Sequence, residues 1–285
     1  MKEILELAHA KVNFTLDVLG RRPDGYHEVE MVMQTLELAD SVVLKQSEEG
    51  ITLTTTATTV PTGPGNLAWK AAKLMFDKFD LAGGVAISLE KHIPVSAGLA
   101  GGSADAAAVI RGINRLWGLG QSIEQLCALG AKIGSDIPFC IIEGTAIARG
   151  RGEVIEKISP CPKIWVILVK PHIGVSTAEV YGKFSMDKVE VRPETTRVIE
   201  AINQADSCTV AQLLCNVLES VTVKLVPEVA LIKDKLIKAG VINSLMSGSG
   251  PTVFGIARDR AQAEAIAKEF DQANYTVVVT QTYNA

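Results

Sequence analysis

Pro94-Val95-Ser96-Ala97-Gly98-Leu99-Ala100-Gly101-Gly102-Ser103-Ala104 is a run of glycines and small residues that leads into the alanine-rich stretch Asp105-Ala106-Ala107-Ala108. Glycines let a backbone curl until its N–H groups point inward. A helix placed directly behind adds its unpaired first-turn amides and the positive end of its dipole. Together these make a cradle for phosphate. The P-loop string GxxxxGK[ST] is absent, and so is the dinucleotide string GxGxxG. The cradle therefore suggests a nucleotide held in some other way. In isolation the same residues also read as a flexible turn between a strand and a helix.

Other groups could act beside it. In Ala8-His9-Ala10-Lys11-Val12-Asn13-Phe14, Lys11 and Asn13 stand two apart and point to one face of a strand. They could present a cation and an amide to a substrate. A strand lysine can also be a gatekeeper on a sheet edge. Asp136, in Gly134-Ser135-Asp136-Ile137-Pro138-Phe139, follows a helix-ending glycine and precedes a strand-like apolar run. It reads either as a turn or capping aspartate or as a carboxylate that orients a hydroxyl and takes its proton. Met246-Ser247-Gly248-Ser249-Gly250-Pro251 is a glycine turn that could add amides to a phosphate site.

Composition narrows the setting. The chain has 285 residues, enough for one large or two ordinary domains, and 47% hydrophobic residues against 21% charged ones. A net charge of −4 argues against nucleic acid as the main partner. The five cysteines are scattered without a CxxC pair, and the four histidines show no ligand spacing with them. That pattern favours reduced thiols and offers no zinc site. No stretch reaches the ~20 apolar residues of a membrane span, and the first residues carry acids where a secretory signal is apolar. The expected location is cytoplasmic, with no membrane partner.

The elements that must position these groups follow from periodicity. Strands are expected at 4–10, 13–20, 30–46 and 51–57, with a turn at Arg21-Arg22-Pro23-Asp24-Gly25. Residues 66–79 carry a helical apolar stripe. A strand at 85–89 feeds the glycine loop, and a helix over 103–117 follows with Ser103 as its N-cap. Another helix opens at Ser122 and runs to about 133, and two short strands flank Arg149-Gly150-Arg151-Gly152. The prolines of Ser159-Pro160-Cys161-Pro162 mark a boundary, giving domains 1–158 and 159–285. The second begins with a strand at 164–169 and continues through helical segments. It ends in a strand (241–246), a strand (252–257), a helix (260–270) and a strand (275–281), as in a split βαβ sandwich.

The Ala10-Lys11-Val12-Asn13 start, the Pro94–Ala104 loop and the Gly248-Ser249-Gly250 turn fall in the order and spacing of the GHMP kinases, which the chain resembles over nearly its whole length. That resemblance implies an α+β, two-domain fold: an N-terminal ATP-binding domain like domain 2 of ribosomal protein S5 and a ferredoxin-like C-terminal domain. It implies ATP-dependent phosphorylation of a small alcohol, with Mg²⁺. The string Gly20-Arg21-Arg22-Pro23-Asp24-Gly25-Tyr26-His27 and Gly134-Ser135-Asp136-Ile137-Pro138 point to the branch whose substrate is a methylerythritol carrying a cytidine diphosphate handle. Rival expectations are a homoserine- or mevalonate-type kinase, or a nucleotide-binding relative without catalysis. Oligomeric state is open between monomer and homodimer.

The resemblance also assigns roles. Lys11 and Asp136 match the catalytic pair. ATP falls to Asn66, Leu67, Lys91 and the loop Pro94, Val95, Ser96, Ala97, Gly98, Leu99, Ala100, Gly101, Gly102, Ser103 and Ala104. Substrate falls to Asn13, Tyr26, His27, Thr177, Tyr181, Gly248 and Ser249, with Tyr26 and Tyr181 stacking on the cytosine and His27 bonding its edge. Two loop positions depart from the commonest pattern: Ala100 stands for a glycine and Ala104 for a serine. Alanine is tolerated at 100 unless φ must be positive there. No carboxylate is assigned to magnesium; Ser103 is the candidate hydroxyl, and Asp105 reads as a complement to the helix dipole.

Overall fold

The structure is a computed structural model that describes residues 2–284. In chain order it runs β1 (Glu3–Arg21), β2 (His27–Ser47), β3 (Gly50–Thr55), α1 (Leu67–Phe79), β4 (Gly84–Glu90), α2 (Gly101–Leu116), α3 (Ile123–Gly130) and α4 (Ile137–Ile142). Then come β5 (Thr145–Arg149), β6 (Val154–Lys157), β7 (Trp165–Pro171), α5 (Thr177–Lys183), α6 (Thr195–Asn203), α7 (Ser207–Gln212), β8 (Cys215–Asn216) and α8 (Glu219–Leu225). The chain closes with α9 (Glu228–Lys238), β9 (Asn243–Met246), β10 (Val253–Ala257), α10 (Arg260–Ala267) and β11 (Tyr275–Gln281). It divides into two compact units.

Unit 1 comprises Met1–Ala10, Leu38–Val95 and Ala100–Glu143. Here β3 pairs parallel to β4, from Gly50↔Gly84 to Thr55↔Leu89. The C-terminal half of β2 pairs antiparallel to the other edge of β4, from Ser41↔Glu90 to Ser47↔Gly84. Asn66 caps α1 by accepting the Ala68 N–H at 2.8 Å. The alanines of α2 are buried with Val109, Ile110 and Ile113. Small residues let this helix approach closely: a β-carbon at Gly112 would lie 2.2 Å from Leu44 Cδ1. Burying such a face stabilises by roughly 25 cal/mol per Å² of apolar surface.

Unit 2 comprises Lys11–Glu37, Ser96–Leu99 and Gly144–Ala285. Met31–Gln34 of β2 pair antiparallel with β5, β5 with β6, and β1 pairs parallel with β8 at Thr15↔Cys215. A separate sheet has the order β11-β7-β10-β9, antiparallel at every pairing. Counted from β7, that is strand order 4-1-3-2 with a βαββαβ run, the ferredoxin-like arrangement expected from the sequence. Val166, Ile167, Val169, Phe254 and Ile256 are its buried core.

Several local expectations are corrected. The strands read at 4–10 and 13–20 are one strand, because Lys11 and Asn13 are buried within the sheet instead of ending it. The helix after the glycine loop starts at Gly101 and has Ala100, not Ser103, at its N-cap position. A left-handed residue at 100 lets the glycines themselves take up helix. The strand-like run after Asp136 is the helix α4, with a proline in its first turn where no N–H is needed. Apolar runs of six residues fit a short strand or a buried helix equally well. The helix from Ser122 stops at Gly130, where a β-carbon would meet Ile137 Cγ2 at 2.6 Å.

Candidate active site

In unit 1 the flanks of the glycine loop and three of the predicted nucleotide residues collect around the first turn of α2. Leu67, the first residue of α1, approaches Gly102: a β-carbon there would lie 3.6 Å from Leu67 Cδ1. A β-carbon at Gly101 would lie 3.1 Å from Ile93 Cγ2 and 3.6 Å from Lys91 Nζ. Glycine at 101 and 102 thus keeps this surface bare, as close approach of a ligand to backbone requires. Asn66 is engaged at both ends of its amide, accepting from Ala68 N–H and donating to the Pro61 carbonyl at 2.8 Å. Its side chain therefore sets the start of α1.

Loop backbone geometry fits the cradle. Ser96, Gly98 and Ala100 have φ of 52°, 74° and 58°. Left-handed residues at alternate positions are how a chain turns successive amides into an anion-binding concavity. Ala104 N–H is the first in the loop to find a helical partner, the Ala100 carbonyl at 2.9 Å. The amides of Gly101, Gly102 and Ser103 precede it in the helix, as unpaired first-turn donors do. Ala104 itself is buried.

Lys91 is almost wholly buried, with its ammonium bonded to Asp40 Oδ2 and, at 2.6 Å, to Asp105 Oδ2. Burial pushes the Asp105 carboxyl up to about 7; Lys91 opposes the rise and the neighbouring Asp40 adds to it. Asp105 is thus a partner of Lys91 and not merely a complement to the helix dipole. Asp136 occupies the N-cap position of α4, yet its side chain makes no capping bond to that helix. The side-chain bond that the capping alternative requires is therefore not made.

In unit 2 the remaining predicted groups meet. The Lys11 ammonium donates to Asn13 Oδ1 at 2.7 Å, and the Asn13 amide donates to Met31 Sδ at 3.3 Å. Lys11 is only 4% exposed, which removes the sheet-edge alternative. Gly248 lies against this pair: a β-carbon there would stand 3.6 Å from both Lys11 Nζ and Asn13 Oδ1, and 3.1 Å from the Gly98 carbonyl. Ser247 Oγ donates to the Gly98 carbonyl at 3.0 Å, and Lys11 N–H donates to the Leu99 carbonyl at 3.1 Å. The Asn216 amide donates to the carbonyls of Met246 and Gly248, both at 2.8 Å, and so fixes the glycine turn. Strand β1, residues 96–99 of the glycine loop and the 246–250 turn are therefore joined through a few short bonds.

The residues expected to bind the base are also in unit 2. His27 and Tyr181 have ring centroids 5.2 Å apart, and Phe184 meets His27 edge-on at 6.3 Å. Thr177 and Ser249 share a hydrogen bond of 2.9 Å. Burial lowers the His27 pKa from its ordinary value, with Arg21 acting in the same direction, so the imidazole is neutral at pH 7. Tyr26, 55% exposed, carries the Arg151 guanidinium 5.0 Å from its ring centroid. Sequence reasoning missed Phe184 and Arg151. Their signals were a phenylalanine three residues past Tyr181 and an arginine in a turn already recognised.

Comparison with known proteins identifies the family. The family model for the GHMP kinases N terminal domain matches residues 66–144, and that for GHMP kinases C terminal matches 198–276. The chain is 51% identical over 265 residues to 4-diphosphocytidyl-2-C-methyl-D-erythritol kinase of Bacillus cereus (strain AH187), covering 93% of this chain and 91% of that protein. Identity and coverage are the same for the Bacillus anthracis (strain CDC 684 / NRRL 3495) protein of that name. A crystal structure of 4-(cytidine 5'-diphospho)-2C-methyl-D-erythritol kinase superposes with a TM-score of 0.85 at 31% identity, covering 99% of this chain and 100% of that one. Homoserine kinase from Cytophaga hutchinsonii superposes with a TM-score of 0.78 at 18% identity, covering 100% and 96%, which shows a shared fold. The chain belongs to the GHMP kinases, ATP-dependent kinases of small molecules, and within them to the 4-diphosphocytidyl-2-C-methyl-D-erythritol kinases.

Proposed function

We propose that the chain transfers the γ-phosphoryl group of ATP to the 2-hydroxyl of 4-diphosphocytidyl-2-C-methyl-D-erythritol, in the methylerythritol phosphate route to isoprenoids. The observation that carries this reading is the 51% identity to kinases of that name over 93% of the chain. The products are the 2-phosphate and ADP. The hydroxyl oxygen forms the new P–O bond, the bond to the β-phosphate oxygen breaks with its electron pair leaving on ADP, and the hydroxyl proton passes to a carboxylate.

Asp136 is that proton acceptor and Lys11 the cation facing the developing charge. Two facts support them: Lys11 is buried against the glycine turn and held by Asn13, and Asp136 is not consumed by capping. In a loose, metaphosphate-like transition state the proton moves late, so a carboxylate serves chiefly by position. His27, Tyr181, Thr177, Tyr26, Gly248 and Ser249 hold the cytidine diphosphate end as a remote handle that orients the reacting alcohol. Asn66, Leu67, Lys91 and the loop Pro94–Ala104 hold ATP.

Mg²⁺ is a hard cation that keeps most of its waters and takes few protein ligands beside phosphate oxygens. Ser103 stands inside the first turn of α2 with no capping duty, so its hydroxyl is the group to hold it. When bound with the triphosphate, the ion neutralises charge on the phosphates. The proposed domain division at 158/159 is supported by the two family models falling on either side of it.

The test of the catalytic roles is Asp136→Asn in a single-turnover assay with saturating ATP. Loss of at least ~10²-fold in rate, with ATP affinity kept, is expected for removal of a general base. A near-wild-type rate refutes the role. Faster turnover of homoserine or mevalonate than of the cytidine-bearing substrate refutes the substrate.

A further inference from the structure

Asp40, on β2, is a fully buried aspartate that no sequence motif singles out. One carboxylate oxygen accepts the N–H groups of His92 and Ile93 at 2.5 and 2.8 Å. These residues lead directly into Pro94. The other oxygen accepts the Lys91 ammonium, which reaches across to Asp105 on α2 at 2.6 Å. Gly101 closes against Ile93 and Lys91 from the other side. The residue before the glycine loop and the helix after it are thus fastened to a single carboxylate, all within unit 1.

Stability alone is a poor reason for this arrangement. Two carboxylates and one ammonium are buried together, and Asp105 Oδ1 has no hydrogen-bond partner among the described residues. Desolvating such a group tends to cancel its attraction, and an apolar trio of similar volume is often as stable or more so. What ions and paired N–H bonds add is direction. The bonds from His92 and Ile93 fix where the chain enters the loop. The Lys91–Asp105 bond fixes the first turns of α2, where the loop glycines become helix.

We propose that Asp40 is a positioning residue for ATP: through Lys91, Asp105 and the His92 and Ile93 amides it holds both flanks of the phosphate loop in the nucleotide-binding conformation before ATP arrives. This rests on the kinase reading above. Asp40 touches no reacting atom. Its removal raises the ATP requirement and leaves the rate at saturating ATP and the affinity for the second substrate in place.

The experiment compares wild type with Asp40→Asn, an isosteric change that keeps an acceptor for the two N–H groups and loses the ion pair. Readouts are KM for ATP, Kd for a non-hydrolysable ATP analogue, kcat, and KM for the cytidine-bearing substrate, on protein shown folded by its near-ultraviolet circular dichroism. At least a fivefold rise in KM and Kd for the nucleotide is expected, with kcat and the other KM within twofold. Asp105→Asn, which retains an acceptor for Lys91, is the second variant should the first not fold; it raises nucleotide KM at least threefold. A double variant no worse than the poorer single one shows that the two aspartates act as one unit. Nucleotide affinity equal to wild type in a folded variant overturns the inference, and so does an equal loss in both substrates. Wild-type protein that binds no ATP analogue overturns the kinase reading itself.

Discussion

The His27 imidazole and the Tyr181 ring lie with centroids 5.2 Å apart and planes tilted by 34°. Phe184 closes the edge of the same imidazole at 89°. Burial keeps that imidazole uncharged at neutral pH. A neutral imidazole beside an aromatic face suits a nucleobase, which needs a stacking surface and one hydrogen-bonding edge. Replacing Tyr181 by Ala removes the face. Base stacking on an aromatic side chain is worth ~1–3 kcal/mol, so KM for the cytidine-bearing substrate rises about 5- to 150-fold while kcat changes little. Steady-state kinetics on the purified variant check it; an unchanged KM places the base elsewhere.

Arg151 lies over the Tyr26 ring at 5.0 Å and is held from behind by Glu153 at 3.3 Å. A cation over an exposed tyrosine is worth ~0.5–1 kcal/mol. It narrows the conformations of a ring that is more than half exposed. Arg151→Gln accordingly raises KM for the cytidine substrate about two- to fivefold and leaves KM for ATP untouched. A change confined to ATP kinetics contradicts this.

Ala100 answers a question that the loop pattern raised. Its φ of 58° lies in the left-handed region, where a β-carbon is strained by roughly 1–2 kcal/mol. Glycine removes the strain and returns part of it as unfolded-chain entropy. Ala100→Gly stabilises the protein by about 1 kcal/mol, read as a higher urea midpoint at unchanged slope. A lower midpoint shows that alanine makes a contact worth more than the strain.

Asp105 gives stability a pH dependence. Its carboxyl is raised to about 7 in the folded chain by burial, with Asp40 adding and Lys91 opposing, against about 3.9 in an unfolded one. A group raised on folding contributes stability fully present below its unfolded pKa and lost as pH climbs through the folded value. Stability from this group therefore declines between about pH 4 and 7 and is flat above. Asp105→Asn mimics the protonated form and flattens that decline. Urea titrations at intervals from pH 4.5 to 8 show it; a wild-type slope in the variant contradicts it.

How much of this was legible in the sequence differs by residue. Lys11 and Asn13 were readable as one-face partners because strand side chains alternate, and the structure joins them at 2.7 Å. Asn66 was readable at the head of an apolar stripe, and it caps α1. The start of α2 was not readable, since it depends on a non-glycine residue adopting positive φ, which no local propensity signals. The helix after Asp136 was hidden for a different reason: six apolar residues carry too little periodicity to separate helix from strand. Asp40 was wholly silent, because its partners stand 51 to 53 residues away and only the folded sheet brings them together.

Phosphoryl transfer to the sugar alcohol is tested most directly by following the phosphorus resonances of 4-diphosphocytidyl-2-C-methyl-D-erythritol, ATP and Mg²⁺ mixed with the protein. A new phosphomonoester signal on the methylerythritol unit is expected, growing mole for mole with ADP and absent without protein. ADP formed with no such signal, or neither one formed while the folded protein still binds ATP, contradicts the assignment.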